Sequence, residues 1–190
     1  MRKLSITMAI VLALINFSSC SDKYREAIVG DWSYSFTSSY SDMTKDKCTV
    51  NWTFYRGEDS PEFMEIRKYN VGYNGEDGAN IDCFCTARVK GTYDIFCGCL
   101  MLEYDTSSLD VDAYSSDVTI SGGNRGFFEY YDRSELANEA KADVYRSMFV
   151  SCKEFNELGS YLISEITDNT FVFEDDDLGT VTAYRQKSEF

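Results

Sequence analysis

The chain has 190 residues, enough for one domain with a sizeable core. Its net charge of −14 repels polyanions, so nucleic acid and anionic lipid headgroups are excluded as partners. It has no histidine, which removes the commonest general base and metal ligand and any Ser-His-Asp or Cys-His mechanism; a non-catalytic role with no cofactor and no metal is expected.

Arg2 and Lys3 precede an apolar run from Ile6 to Ile15, and Phe17-Ser18-Ser19-Cys20 follows. The run falls short of the roughly 20 apolar residues that a membrane-spanning helix needs, so it reads as a leader. An ordinary secretory signal would look much the same. With small residues just before a cysteine, the segment resembles a bacterial lipoprotein signal. That resemblance implies cleavage after Ser19 and lipid on the sulfur and amine of Cys20. Residues 1–19 are then a signal peptide, 20–28 a lipidated tether and 29–190 the folded domain. The location implied is the bacterial cell envelope, lipid-anchored, with Ser21 after the cysteine pointing to the outer membrane. Removing Arg2 and Lys3 makes the mature chain more acidic still, so attachment should come from the lipid and not from a basic face.

An aromatic content of 15% with one proline, Pro61, predicts a folded, β-rich domain. Trp32, Tyr34 and Phe36 alternate with polar residues, as on a half-buried strand. Cys48, Val50, Trp52 and Phe54 repeat that period. Phe63 to Tyr69 predicts a third strand with less cleanly divided faces. From Cys83 to Ile95 one parity is apolar and the other mostly polar. Strands over Cys99–Tyr104 and Val118–Ile120 follow.

The period changes at Asp132, which has capping-box spacing to Glu135. Ala140, Val144, Met148 and Cys152 then recur every four residues, and Gly159 is a stop, so a core-facing helix is expected. Strands over Tyr161–Ile166, Thr170–Glu174 and Thr180–Gln186 close the chain. The acidic runs Glu76-Asp77 and Asp175-Asp176-Asp177 read as solvated turns, since neither has the spacing of a calcium loop.

Eight or nine short strands with a late helix fit a sheet that closes its own edges. Ile28-Val29-Gly30-Asp31-Trp32, Val89-Lys90-Gly91-Thr92-Tyr93-Asp94-Ile95 with Leu100-Met101-Leu102, and the stretch Ile163 to Arg185 are similar to segments of lipocalins and bacterial lipocalin-like lipoproteins. The resemblance implies a mainly β fold, an antiparallel up-and-down lipocalin-like β-barrel with one amphipathic α-helix inserted before the last strands. It also implies that Arg185 stacks near Trp32, and that the interior takes a small apolar or amphipathic ligand. Trp32, Tyr34, Phe36, Trp52, Phe54, Tyr93, Phe171 and Phe173 have the parity of interior positions. With Arg185 they are the candidate ligand-binding residues. A barrel of about eight strands either holds one small ligand or fills with side chains. If it fills, the alternative is an interaction module that binds protein or glycan through loops 74–82 and 121–131.

Six cysteines remain in the domain: Cys48, Cys83, Cys85, Cys97, Cys99 and Cys152. An even number in an exported chain predicts disulfides, with Cys48–Cys152 the favoured single pair. Two other readings stay open: free buried thiols, and a four-thiolate zinc site from the two Cys-x-Cys pairs. A hairpin turning at Gly91 would set Cys83 opposite Cys99 and Cys85 opposite Cys97. The preferred turn, at Cys97-Gly98, sends the pairs to different partners.

Overall fold

The computed structural model describes residues 21–38, 46–57, 61–75, 78–123 and 131–187. In chain order these form helix α1 (21–28), then β1 (Gly30–Ser38), β2 (Asp46–Phe54), β3 (Glu62–Asn74), β4 (Ala79–Phe96) and β5 (Cys99–Asp112). A 3₁₀ turn (Ser115–Asp117), β6 (Val118–Gly122), the long helix α2 (Arg133–Leu158), β7 (Tyr161–Ile166), β8 (Thr170–Asp175) and β9 (Gly179–Arg185) complete the fold. Residues 1–19, expected to be a signal peptide, and Cys20 lie outside the described residues, as do parts of both loops expected to bind a partner.

All nine strands join one antiparallel sheet in the order β3-β2-β1-β9-β8-β7-β5-β4-β6, and β3 also pairs with β4. Eight strands therefore make a closed ring. β6 lies outside that circuit and takes the edge of β4 from Ala79 to Cys83, where β5 has already left it. Alternation drives this closure. On β4 the odd positions Ile81, Cys83, Cys85, Ala87 and Val89 are buried, while the even ones point outward.

Two seams of the ring are short. β1 meets β9 through Trp32↔Arg185 and Ser33↔Tyr184. β5 meets β7 through Cys99↔Leu162 and Leu100↔Tyr161. Beyond the second seam α2 runs along β5. Its Asn156 side chain reproduces a missing strand pair: Nδ2 donates to the Tyr104 carbonyl at 2.8 Å, and Oδ1 accepts from the Tyr104 N–H at 2.7 Å. Asp132 caps α2 by accepting from the Ser134 and Glu135 N–H groups. Ala137, Ala140, Val144, Met148 and Cys152 form its buried stripe.

The expected tether is instead a packed helix. Ile28, at the end of α1, is fully buried, and its carbonyl accepts from Trp32 Nε1 at 2.6 Å. Arg25 of α1 holds Asp94 of β4 at 2.5 Å. α1 thus closes the end of the ring where β1 starts and β4 and β9 finish.

The β4–β5 hairpin turns at Cys97-Gly98, with Phe96 opposite Cys99. Gly91 pairs with Tyr104 inside the ladder, so the register that would gather four sulfurs is absent. Cys83 lies opposite Val71 and Val118, and Cys85 opposite Tyr69, at the far end of β4 from Cys97 and Cys99. Among the described residues no two cysteines lie at disulfide distance, so the expected bridges, Cys48–Cys152 among them, are not formed. A ring packed with aromatic side chains buries enough apolar surface that small-domain stapling is not required.

Gly91 marks a close approach. A Cβ there would lie 2.2 Å from the Glu103 carbonyl oxygen and 2.6 Å from the Phe63 ring. Gly91→Ala is therefore expected to cost about 1–3 kcal/mol by forcing β3 and β5 apart, read as a lower denaturation midpoint. An unchanged midpoint would show that the seam has slack.

Candidate functional site

The interior positions named from sequence converge. Trp32, Trp52, Phe54, Phe171 and Phe173 are essentially inaccessible, Tyr34 and Tyr93 nearly so, and Phe36 is partly buried. They pack on one another. Ring centroids of Trp52 and Phe173 are 5.4 Å apart, those of Phe54 and Tyr93 5.0 Å, and those of Tyr161 and Phe173 4.9 Å, mostly tilted or edge-on. At this level the ring is filled with side chains.

In the middle of them sits a carboxylate that sequence reasoning passed over. Glu65 of β3 is fully buried. Trp52 Nε1 donates to its Oε2 at 2.5 Å and the Tyr104 hydroxyl donates to the same oxygen at 2.8 Å, while Arg67 donates from Nε to Oε1. Trp52, Arg67 and Tyr104 come from β2, β3 and β5, so three strands meet on one side chain. The signal in the sequence was the untidy third strand: Phe63, Glu65, Arg67 and Tyr69 share the inward parity. Burial works against the charge on Arg67, but Glu65 outweighs it and holds the guanidinium protonated well above its ordinary value.

Burial also raises the phenols of Tyr34, Tyr69, Tyr104 and Tyr161 above their ordinary value of 10. It pushes the Cys152 thiol up to about 12. Cys83 and Cys85, neighbours on one face, hydrogen-bond to each other; this bond lowers the Cys83 thiol and raises that of Cys85. Among the described residues no group of three His, Cys, Asp or Glu side chains is arranged to hold a metal ion.

Arg185 lies at the closed end. Its guanidinium stands 4.2 Å from the Trp32 ring centroid and donates to the carbonyls of Asp168, Val29 and Ala27 at 2.7, 2.8 and 2.9 Å. Its donors are thereby engaged by α1 and by the β7–β8 turn, so it acts as a latch between the chain's two ends.

Open space is found where the end of α2 meets the ring. A cleft of about 990 Å³ runs between the C-terminal part of α2, the β4–β5 hairpin and α1. Phe155, Met101 and Leu102 supply apolar wall; Asp94, Glu103, Glu157 and Arg25 supply charge. Tyr93 is fixed at its edge by donating to the Tyr55 carbonyl at 3.0 Å. No protein-family model and no curated protein matches the chain.

Two outcomes follow from the interior. Arg67→Met strands a buried carboxylate and should cost about 3–5 kcal/mol in denaturant unfolding, while Glu65→Leu combined with Arg67→Met should recover most of it. Equal destabilisation by the single and double variants would mean that the ion pair does not couple. Alkali supplies the second. The raised Cys152 and tyrosine groups stay protonated in the fold but ionise near 9 and 10 once unfolded, so stability is full below pH 9 and falls as pH rises beyond it. Tyrosinate absorbance for the buried phenols should appear together with unfolding, not before it.

Proposed function

We propose that the chain is a lipoprotein of the bacterial cell envelope, anchored through Cys20, whose lipocalin-like β-barrel is a filled scaffold and whose binding site is the external cleft. The anchor is supported by the leader sequence and by the start of α1 immediately after Cys20. The lipocalin-like reading is supported by the eight-strand ring, by α1 at one end and by Arg185 over Trp32. The role is non-catalytic binding. The observation behind it is the contrast between an interior occupied by mutually packed aromatic rings and an open cleft beside it.

The partner is a protein segment with basic and apolar residues. Glu103 and Glu157 on the rim favour positive charge, Asp94 being paired with Arg25, and Phe155 and Met101 provide an apolar wall against which an aliphatic or aromatic anchor packs. The net charge of −14 steers such a partner toward the molecule. A small apolar ligand inside the ring would have to displace packed aromatics and part of the Glu65 network.

Native mass spectrometry of the purified protein should find no retained apolar small molecule. In titrations with Lys- and Arg-containing peptides that carry an aromatic residue, charge reversal by Glu103→Lys with Glu157→Lys should weaken binding by about tenfold or more. A retained lipid-sized molecule, or peptide binding indifferent to that reversal, overturns the cleft reading.

A further inference from the structure

At the end of the ring closed by α1, four large side chains remain exposed. Phe96 is 65% accessible, Tyr184 58%, Leu162 53% and Tyr55 45%. Register joins two of them directly, and the other two stand at strand ends. Phe96 ends β4 and lies opposite Cys99, and Cys99 lies opposite Leu162, so Phe96 and Leu162 share one outward row. Tyr184 is the penultimate residue of β9, and Tyr55 follows the last residue of β2. Exposed apolar side chains in such a set mark an interaction surface.

The same end holds the start of the domain. Arg25 binds Asp94, two residues before Phe96, and Arg185, one residue after Tyr184, binds the carbonyls of Ala27 and Val29. α1 is about 12 Å long at 1.5 Å per residue, and its first residue follows Cys20 directly. The hairpin tip adds a further sign. Cys97 and Gly98 both have positive φ, 52° and 80°, in a two-residue turn where Asn-Gly or Asp-Gly is usual. A weakly polar thiol thus stands where a hydrated side chain would ordinarily be. Lys23, Arg56 and Lys187 are exposed at this end, interspersed with Asp22, Glu26 and Glu62.

We infer that this rim rests in the interface of the membrane that holds Cys20, with Phe96 and Leu162 entering the headgroup region and Tyr55 and Tyr184 beside them. The inference rests on the anchored reading of Cys20. A lipid surface fits better than a protein groove-filler, because the exposed side chains are spread over four strands around one end of the molecule instead of lining one groove. Tyrosine and phenylalanine at the level of an anchor match the aromatic belts of membrane interfaces. So few side chains would not hold a free protein on a bilayer, but a tether keeps the rim at an effective concentration where weak contacts suffice. The cleft, walled in part by Arg25 and Asp94, then lies near the membrane surface, and its partner is a protein of the same envelope layer.

The test uses the full chain, processed in its host and reconstituted into phosphatidylcholine vesicles, with Cys99→Ser so that Cys97 alone accepts an environment-sensitive fluorophore. A control carries the label at Phe84→Cys in the same background with Cys97→Ser added; residue 84 is outward on the same strand, about 40 Å away. Iodide should quench the label at 97 several-fold less than the label at 84. Adding Phe96→Ser with Leu162→Ser should lower the docked fraction by about tenfold and abolish the difference. The mass of the N-terminal peptide reports the anchor independently. Lipid on Cys20 with equal quenching at both positions overturns the docking and spares the anchor. No lipid on Cys20 overturns both.

Discussion

A carboxylate enclosed among aromatic rings is the constraint from which most of this molecule can be rebuilt. Glu65 is fully buried, so its oxygens are met by protein donors, and leaving them unmet would cost several kcal/mol. The donors are Trp52, Arg67 and Tyr104, each on a strand whose register must be right to within one residue. A slip of one position on β2 or β5 would turn Trp52 or Tyr104 to the outer face. Tyr104 passes the constraint on, because its backbone is bound by Asn156, which fixes the C-terminal part of α2. An apolar core of equal volume could be as stable, but it would not tie three strands and a helix to one point.

Much of the fold could be read in the residues. Trp32 and Tyr34 on β1, the odd positions of β4, and the four-residue stripe of α2 declared their periods and are buried as those periods require, with Phe36 partly so. The strands expected after Gly159 are present as β7, β8 and β9. What stayed hidden has physical causes. On β3 the interior face carries Glu65 and Arg67, and alternation of hydropathy is blind to an ion pair facing inward. Residues 21–28 are mostly polar, and their helix is made by docking Ile28 and by the Arg185 and Arg25 contacts, which join residues far apart in sequence. Asn156 replaces a strand partner through geometry that no pattern of neighbours encodes. The thiols misled because cysteine number suggests a compartment's chemistry and says nothing of where each sulfur lies.

The distribution of space decides how the molecule is best used. Its interior serves as framework, with the aromatic rings filling the volume that a carrier would leave open. Its chemistry is displayed on the outside: acidic groups along the cleft, an apolar rim at the end closed by α1, and charges of both signs near that rim. On the proposed reading these features divide the surface by direction, one end toward an anchor and one flank toward a partner. Burial keeps the phenols of Tyr34 and Tyr104 and the thiol of Cys152 protonated over the ordinary pH range.

The β5–β7 seam has a further meaning. Past Leu100 the backbone of β5 would be a bare sheet edge, and bare edges recruit strands from other molecules. Asn156 occupies the N–H and carbonyl of Tyr104, and α2 lies over what remains, so the template for edge-to-edge aggregation is covered by a side chain and a helix that cannot themselves propagate a ladder. Protection of this edge is therefore lodged in Asn156 and the end of α2, and any event that lifts that end turns the closed ring into a donor of open β-structure.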